Sequence, residues 1–391
     1  MSEYQYYEFL AVDRPLDATA LAAVRALSTR ARITPSSFVN TYHRGDFKGN
    51  PRALVERYYD AFLYTANRGT RQFMFRLPTR LLEPGAAERY CTTDAASTWT
   101  RGGHVLIDLT YPCEDGGEWD DEDDLGEGKL TSIIPARADL ATGDLRLLYL
   151  AWLHSVSCDQ VDPDDVEPPV PAGLDDLPAS LHALADLLHI DADLLAVAAQ
   201  TSPRPVTCAP ATAQWRTRLA DMPARDKDDV LLRLLKGDPY LGAELRRRLA
   251  TPSLDPRPRD EPRTVADLTT AARSRAAERE RLAAEQRTNR AAARQKAAAA
   301  VRSRHLDDLA AEGESAWQRV DTLIRATKPK EYDHAVTLLI DLRDLATRQD
   351  RQQDAEHRVR QIRATYPNRP ALLQRLDRAG LALDRATAPR R

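Results

Sequence analysis

Apolar positions along this chain recur every second residue near the N-terminus and every third or fourth residue farther on, and the change divides the sequence. Residues 4–12 are aromatic and β-rich, and residues 32–42 and 104–109 also read as strands. Phe73, Phe75 and Leu77 alternate within a further strand at 71–77. Between these runs, Asp17 can cap a helix striped by Leu21, Val24, Ala26 and Leu27. Pro51 can open a second helix carrying Leu54, Val55, Tyr58, Tyr59, Phe62 and Leu63, and a short helix is expected at 80–90. This alternation of strand and helix predicts an α+β protein that begins with a mixed α/β sheet domain.

Beyond residue 128 the period is helical. Apolar stripes lie at 130–134, 136–140 and 145–153, the last two expected as helices, followed by a proline-rich linker at 162–171. Leu177, Leu181, Leu184 and Leu188 form one helical set, and Val230, Leu231, Leu234 and Leu235 another. After a second proline-rich break at 252–262, Thr264 and Asp267 introduce a run of Ala, Arg, Glu, Gln and Lys, all strong helix formers. A helix over 265–305 would be roughly 60 Å long. No large apolar side chain occurs between Ala283 and Ala300, so this rod has little to bury. The tail holds Trp317, Val320, Leu323 and Ile324, then helices at 332–346 and 354–365, then a last one through Leu372, Leu373 and Leu376. Its central pair loosely matches a tetratricopeptide-type hairpin. The expected divisions are 1–160 with an acidic loop at 114–128, a helical domain at 173–251, the basic helix at 263–310 and a helical-hairpin module at 311–391.

Charge adds contrast to this outline. The 391 residues carry a formal net charge of only −3, yet acidic residues crowd 114–127 and 159–176 while arginine crowds the long helix. The first residues lack the basic start and apolar core of a signal peptide, and the longest apolar run, 147–153, is too short to span a bilayer. Cysteines at 91, 113, 158 and 208 have no paired spacing, which suggests reduced thiols and a cytoplasmic location without membrane contact.

Signatures of chemistry are incomplete. The Gly- and Lys-containing turns at 45–49 and 126–129 lack P-loop spacing, and no Gly-x-Ser-x-Gly occurs. His154 and Cys158 are half of a zinc site with no second pair, so neither metal nor cofactor is expected. His43 lies near Asp46 but has no motif around it. The carboxylates of 114–127, with His104, leave a metal-dependent enzyme as one alternative. The aromatic strands raise an RNA-stacking sheet, but its consensus is missing and core packing explains them better. The basic helix offers a second alternative. From Ala271 to His305 ten basic residues stand against three acidic ones, and Arg287, Arg290 and Arg294 share one face. With Lys296, Arg302 and Arg304 they form a candidate phosphate-binding set, to be weighed against a plain solvated spacer.

Four blocks in combination resemble an uncharacterised bacterial protein family of similar architecture. They are residues 4–15 (YQYYEFLAVDRP), 32–49 (RITPSSFVNTYHRGDFKG), 166–174 (VEPPVPAGL) and 317–381. The tail, with KPKEYDHAVTLLIDLRDLA and NRPALLQRLDRAGL, is also similar to tails of bacterial SWIM zinc-finger proteins, although no Cys-x-Cys followed by Cys-x-His is present. The resemblance implies a bacterial protein that works with a SWIM-type, nucleic-acid-associated partner, and supplies no catalytic residue. Combined with the incomplete catalytic signatures, it predicts a non-enzymatic accessory or scaffold protein. Trp317, Tyr332, Leu339 and Leu342 are the expected partner-binding residues.

Overall fold

A computed structural model describes residues 4–43, 45–67, 69–111, 126–204, 212–249 and 262–381. The fold is α+β, and the chain divides into two compact units, Met1–Arg279 and Glu280–Arg391. None of the described helices is long and apolar enough to cross a membrane.

The first unit is built on a seven-stranded sheet. Its strands are β1 (Gln5–Leu10), β2 (Arg32–Ile33), β3 (Ser37–Tyr42), β4 (Ala61–Ala66), β5 (Arg71–Pro78), β6 (Ala96–Arg101) and β7 (His104–Tyr111), in the order β2-β3-β1-β4-β5-β7-β6. Every pairing is antiparallel, and helices in the connections complete the expected α/β sheet domain. Helix α1 (Ala18–Arg25) links β1 to β2, both antiparallel to β3, and α2 (Pro51–Arg57) links β3 to β4, both antiparallel to β1. Helix α3 (Pro84–Glu88) links β5 to β6, both antiparallel to β7, so each helix joins two strands of like direction across an intervening one. The expected second helix proves too long. It stops at Arg57, and Phe62 and Leu63 belong to β4, where they point to opposite faces of the sheet. Strand β6, which the apolar pattern does not signal, joins β7 through Gly102 and Gly103, both at positive φ (58° and 75°), as a tight hairpin requires.

Alternation sends Leu63, Phe73, Phe75, Ile107 and Leu109 to one face, where α4 (Lys129–Ala141), α5 (Arg146–Ser157), α6 (Ala179–Leu187) and α7 (Ala192–Ala199) cover them. Helix α4 runs through Pro135, merging two stripes that read as separate. Residues of α6 and α7, expected in a second domain, share this same interior. The other face packs Phe9, Phe38, Phe47, Tyr59 and Phe62 beneath α1 and α2, with the Phe9 and Phe62 rings 4.5 Å apart. The aromatic strands are therefore core.

The long helix α11 (Val265–Glu312) begins in this unit. Thr264 and Asp267 cap it reciprocally: the Asp267 N–H reaches the Thr264 hydroxyl (3.2 Å), and the Thr264 N–H reaches the Asp267 carboxylate (3.0 Å). The proline-rich linker holds the start of the helix. Val166 and Thr264 form a β-bridge, the Glu167 N–H donates to the Arg263 carbonyl (2.9 Å), and the Val265 N–H donates to that of Asp165 (3.0 Å). Beneath them the Arg263 guanidinium grips the buried Glu167 carboxylate (2.8 and 2.5 Å), to which Tyr149 also donates. Val265, Leu268 and Ala272 then enter the sheet-side core.

In the second unit Gly313, at φ 56°, separates the end of α11 from α12 (Glu314–Arg325). Helices α13 (Pro329–Arg348), α14 (Gln352–Thr365) and α15 (Pro370–Arg378) follow. Leu306 and Leu309 of α11 pack with Val320, Ile324, Leu339, Leu372 and Leu376.

Removing one member of a buried ion pair strands the other. Arg263→Ala is expected to lower stability by about 3 kcal/mol in urea unfolding, by leaving Glu167 without its cation.

Candidate functional site

A buried ionic network in the first unit lies where β1 ends and β4 begins. Asp60, about 1% exposed, accepts the backbone N–H groups of Val12 and Asp13 (2.8 and 2.9 Å). From β5, Arg76 donates to its other oxygen (2.8 and 3.2 Å). Arg137 of α4 makes a two-pronged pair with Asp13 (2.8 and 2.6 Å) and donates to the Arg76 carbonyl (2.9 and 2.7 Å). Tyr240 closes the set by donating to Asp13 (2.5 Å). Burial alone would raise the Asp13 carboxyl, but the hydrogen bonds and charge of Arg137, with Tyr240, hold it below its ordinary 3.8.

Above this floor opens a cleft of about 600 Å³. Arg14 and Arg57 reach its walls, both exposed and without an ion pair among the described residues. Arg80 stacks over the Tyr240 ring (4.7 Å) and pairs with Asp238 (2.9 Å). His104 is also on the wall, its Nδ1 3.0 Å from the Gly102 carbonyl. That places His104 beside arginines, while residues 114–125 of the acidic loop expected to join it lie outside the described residues. Positions 13, 60, 76 and 137 are far apart in sequence, and no local motif ties them together.

His154 is buried and engaged with the backbone, its Nε2 2.9 Å from the Thr110 carbonyl, while the Cys158 sulfur stands 3.8 Å from Nδ1. Among the described residues no group of three His, Cys, Asp or Glu side chains could hold a metal. Burial pushes the Cys91 thiol up to about 12 and raises that of Cys158, so neither is a poised nucleophile. Cys113 and Cys208 lie outside the described residues.

Along α11, Arg287, Arg290, Arg294, Lys296 and Arg304 are exposed and form no ion pair among the described residues. At 100° per residue the first three fall within a 60° arc. Arg302 differs: it pairs with Asp341 and Asp344 of α13, and His305 donates to Asp341 (2.7 Å). It fastens α11 to its own bundle. Upstream, Arg275 and Arg279 are tied to Asp193 (3.3 and 2.7 Å).

The four residues expected to bind a partner separate in the structure. Tyr332, Leu339 and Leu342 are 7%, 0% and 4% exposed inside the bundle, so they hold the module together and present no contact surface. Trp317 is half-buried under the Arg358 guanidinium (5.0 Å), which Glu314 fixes (2.9 and 2.7 Å) beside a groove of about 270 Å³.

The surface that sequence periodicity missed is α9 (Ala224–Leu235). Val230, Leu231, Leu234 and Leu235 read as a helical set, and here Leu231, Leu232, Leu234 and Leu235 are 56%, 53%, 62% and 83% exposed, and the helix buries none of its residues. Arg233 ties the helix down through Asp238 (2.9 Å) and Glu244 (2.5 Å). Trp215 and Leu219 of the neighbouring α8 (Thr212–Asp221) are exposed as well. The signal was present as an amphipathic stripe, but a stripe does not say which surface it meets.

Comparison with protein-family models, curated proteins and solved structures finds no match to this chain.

The Asp13–Arg137 pair makes a pH-dependent contribution. A carboxyl whose folded pKa is depressed contributes stability above its unfolded value, and loses it as pH falls toward the folded value. Asp13→Asn is expected to cost about 3 kcal/mol at pH 7, by leaving Arg137 only its longer approach to Asp60 (3.9 Å), and to show a smaller loss than the parent protein between about pH 4.5 and 3. Urea titrations at several pH values read both.

Proposed function

We propose that this chain is a non-enzymatic adaptor that docks a protein partner through the leucine ridge of α9. The exposure of that ridge carries the reading. Fully burying one leucine contributes about 1.5–3 kcal/mol, so the exposed parts of Leu231, Leu234 and Leu235 together leave about 3–6 kcal/mol unrealised in the isolated chain. They share a helical face, and Leu232 borders it. Exposed apolar patches of this kind mark interaction surfaces, and the fitting occupant is an amphipathic helix that lays its own apolar stripe along the ridge. The similarity of the tail to those of SWIM zinc-finger proteins makes such a protein the partner to test first. Unpaired thiols at Cys91 and Cys158 support work in the cytoplasm.

The test is co-expression with a SWIM zinc-finger protein of the same bacterium, followed by affinity measurement on the purified pair. L234E/L235E is expected to weaken the complex at least a hundredfold while leaving thermal unfolding unchanged, because neither side chain contributes to the core. Undiminished affinity of the variant would overturn the ridge as the docking face.

A second reading follows from Arg287, Arg290, Arg294, Lys296 and Arg304 of α11, which form no ion pair among the described residues. Arg287, Arg290 and Arg294 rise about 10 Å along the helix, a spacing that suits successive phosphates. If they bind nucleic acid, affinity for a duplex falls steeply with salt, and R287E/R290E/R294E lowers the slope of log K against log salt by about 2–3. Binding that is independent of salt would exclude it.

A further inference from the structure

We infer that the cleft between α1, α2 and the β6–β7 hairpin is a binding site for a small phosphoryl-bearing molecule, held by Arg14 and Arg57. The argument begins with charge. The buried acids of the floor are already satisfied, Asp13 by Arg137 and Tyr240 and Asp60 by Arg76 and two backbone N–H groups. Asp17, on the wall, is committed as the cap of α1, accepting the Ala20 N–H (2.8 Å). Of the carboxylates lining the cleft, Asp13 and Asp60 have cationic partners, while Asp17 has a backbone N–H and no ion pair among the described residues. The cations outnumber it. Arg14 and Arg57 have no ion pair among the described residues, and Arg80 spends one amino group on Asp238 and its flat face on Tyr240. Two unpaired arginines against the single carboxylate of Asp17 leave an excess of positive charge, so the missing component is an anion.

Geometry narrows the class. Two unpaired guanidiniums, with the remaining N–H groups of Arg80, offer more donors than one carboxylate can accept, whereas a phosphoryl group presents three oxygens to forked donors. Because a carbonyl only accepts, His104 Nδ1 carries a proton toward Gly102, and Nε2 is left for the ligand. A volume of about 600 Å³ exceeds what phosphate alone would fill and suits an organic portion as well, against Leu16 and Tyr58. The floor is pre-organised: the Asp13, Asp60, Arg76 and Arg137 network joins β1, β4, β5 and α4, so ordering the site costs the ligand little.

Isothermal titration of the full-length protein with pyrophosphate, ADP and citrate tests this. Pyrophosphate and ADP are expected to bind at low salt, citrate at least tenfold more weakly. R14Q/R57Q is expected to weaken pyrophosphate and ADP at least tenfold with unchanged thermal unfolding, both side chains being exposed. R287E/R290E/R294E is expected to bind them as the parent does, which separates the cleft from the basic helix. Absence of binding, equal binding of citrate, insensitivity to R14Q/R57Q or loss on changing the basic helix would each overturn the assignment.

Discussion

A carboxylate shut away from water must be neutralised where it stands, and Asp60 is one such carboxylate in the first unit. It precedes β4, so its charge fixes where that strand starts. Its two oxygens take up the turn after β1 and the guanidinium of β5. Arg137 then brings α4 onto the same spot, and Tyr240 brings the segment between α9 and α10 (Leu241–Leu249). Four elements and a connecting turn thus converge on one ionic cluster. Because the cluster is internally balanced, the arginines that happen to surround it are left with charge to spend outward. The cleft is a by-product of how the interior neutralises itself.

The linker at 162–171 plays a comparable part elsewhere in the unit. Its prolines prevent it from folding as a helix, which keeps its backbone extended and able to pair with residues 263–266. That pairing delivers the first turn of α11 with its donors already capped. A helix otherwise composed for solvent therefore has a fixed origin.

Much of the architecture was legible in the residues. The α+β class, the long helix from its Ala/Arg run, and the bundle from the period of Leu339 and Leu342 followed from local pattern. What was not legible involved competition between elements. Tyr58 to Leu63 fits a helical stripe as well as a strand, and burial of Asp60 in the middle of it decides the matter. Strand β6 is rich in Thr and Ser and becomes visible only once β7 offers it an edge. The leucines of α9 carry the same signal as buried leucines, since periodicity reports a face and not what covers it. The cleft was invisible for a plainer reason: its residues come from 13, 14, 57, 80 and 104, and only the sheet register gathers them. Likewise Arg302, nominated with its exposed neighbours, was distinguished from them only by Asp341 and Asp344 of another helix.

Residues 280–301 of α11 are exposed throughout, and between Ala283 and Ala300 none has a large apolar side chain. Their helix persists on intrinsic propensity and on the fixed turns at either end. Such a stretch is free to drift in evolution: one strong helix former replaces another at a few tenths of a kcal/mol, with no neighbour to repack. The same indifference makes it brittle toward a single class of change. A proline there would cost about 3 kcal/mol, with no tertiary contact to absorb it.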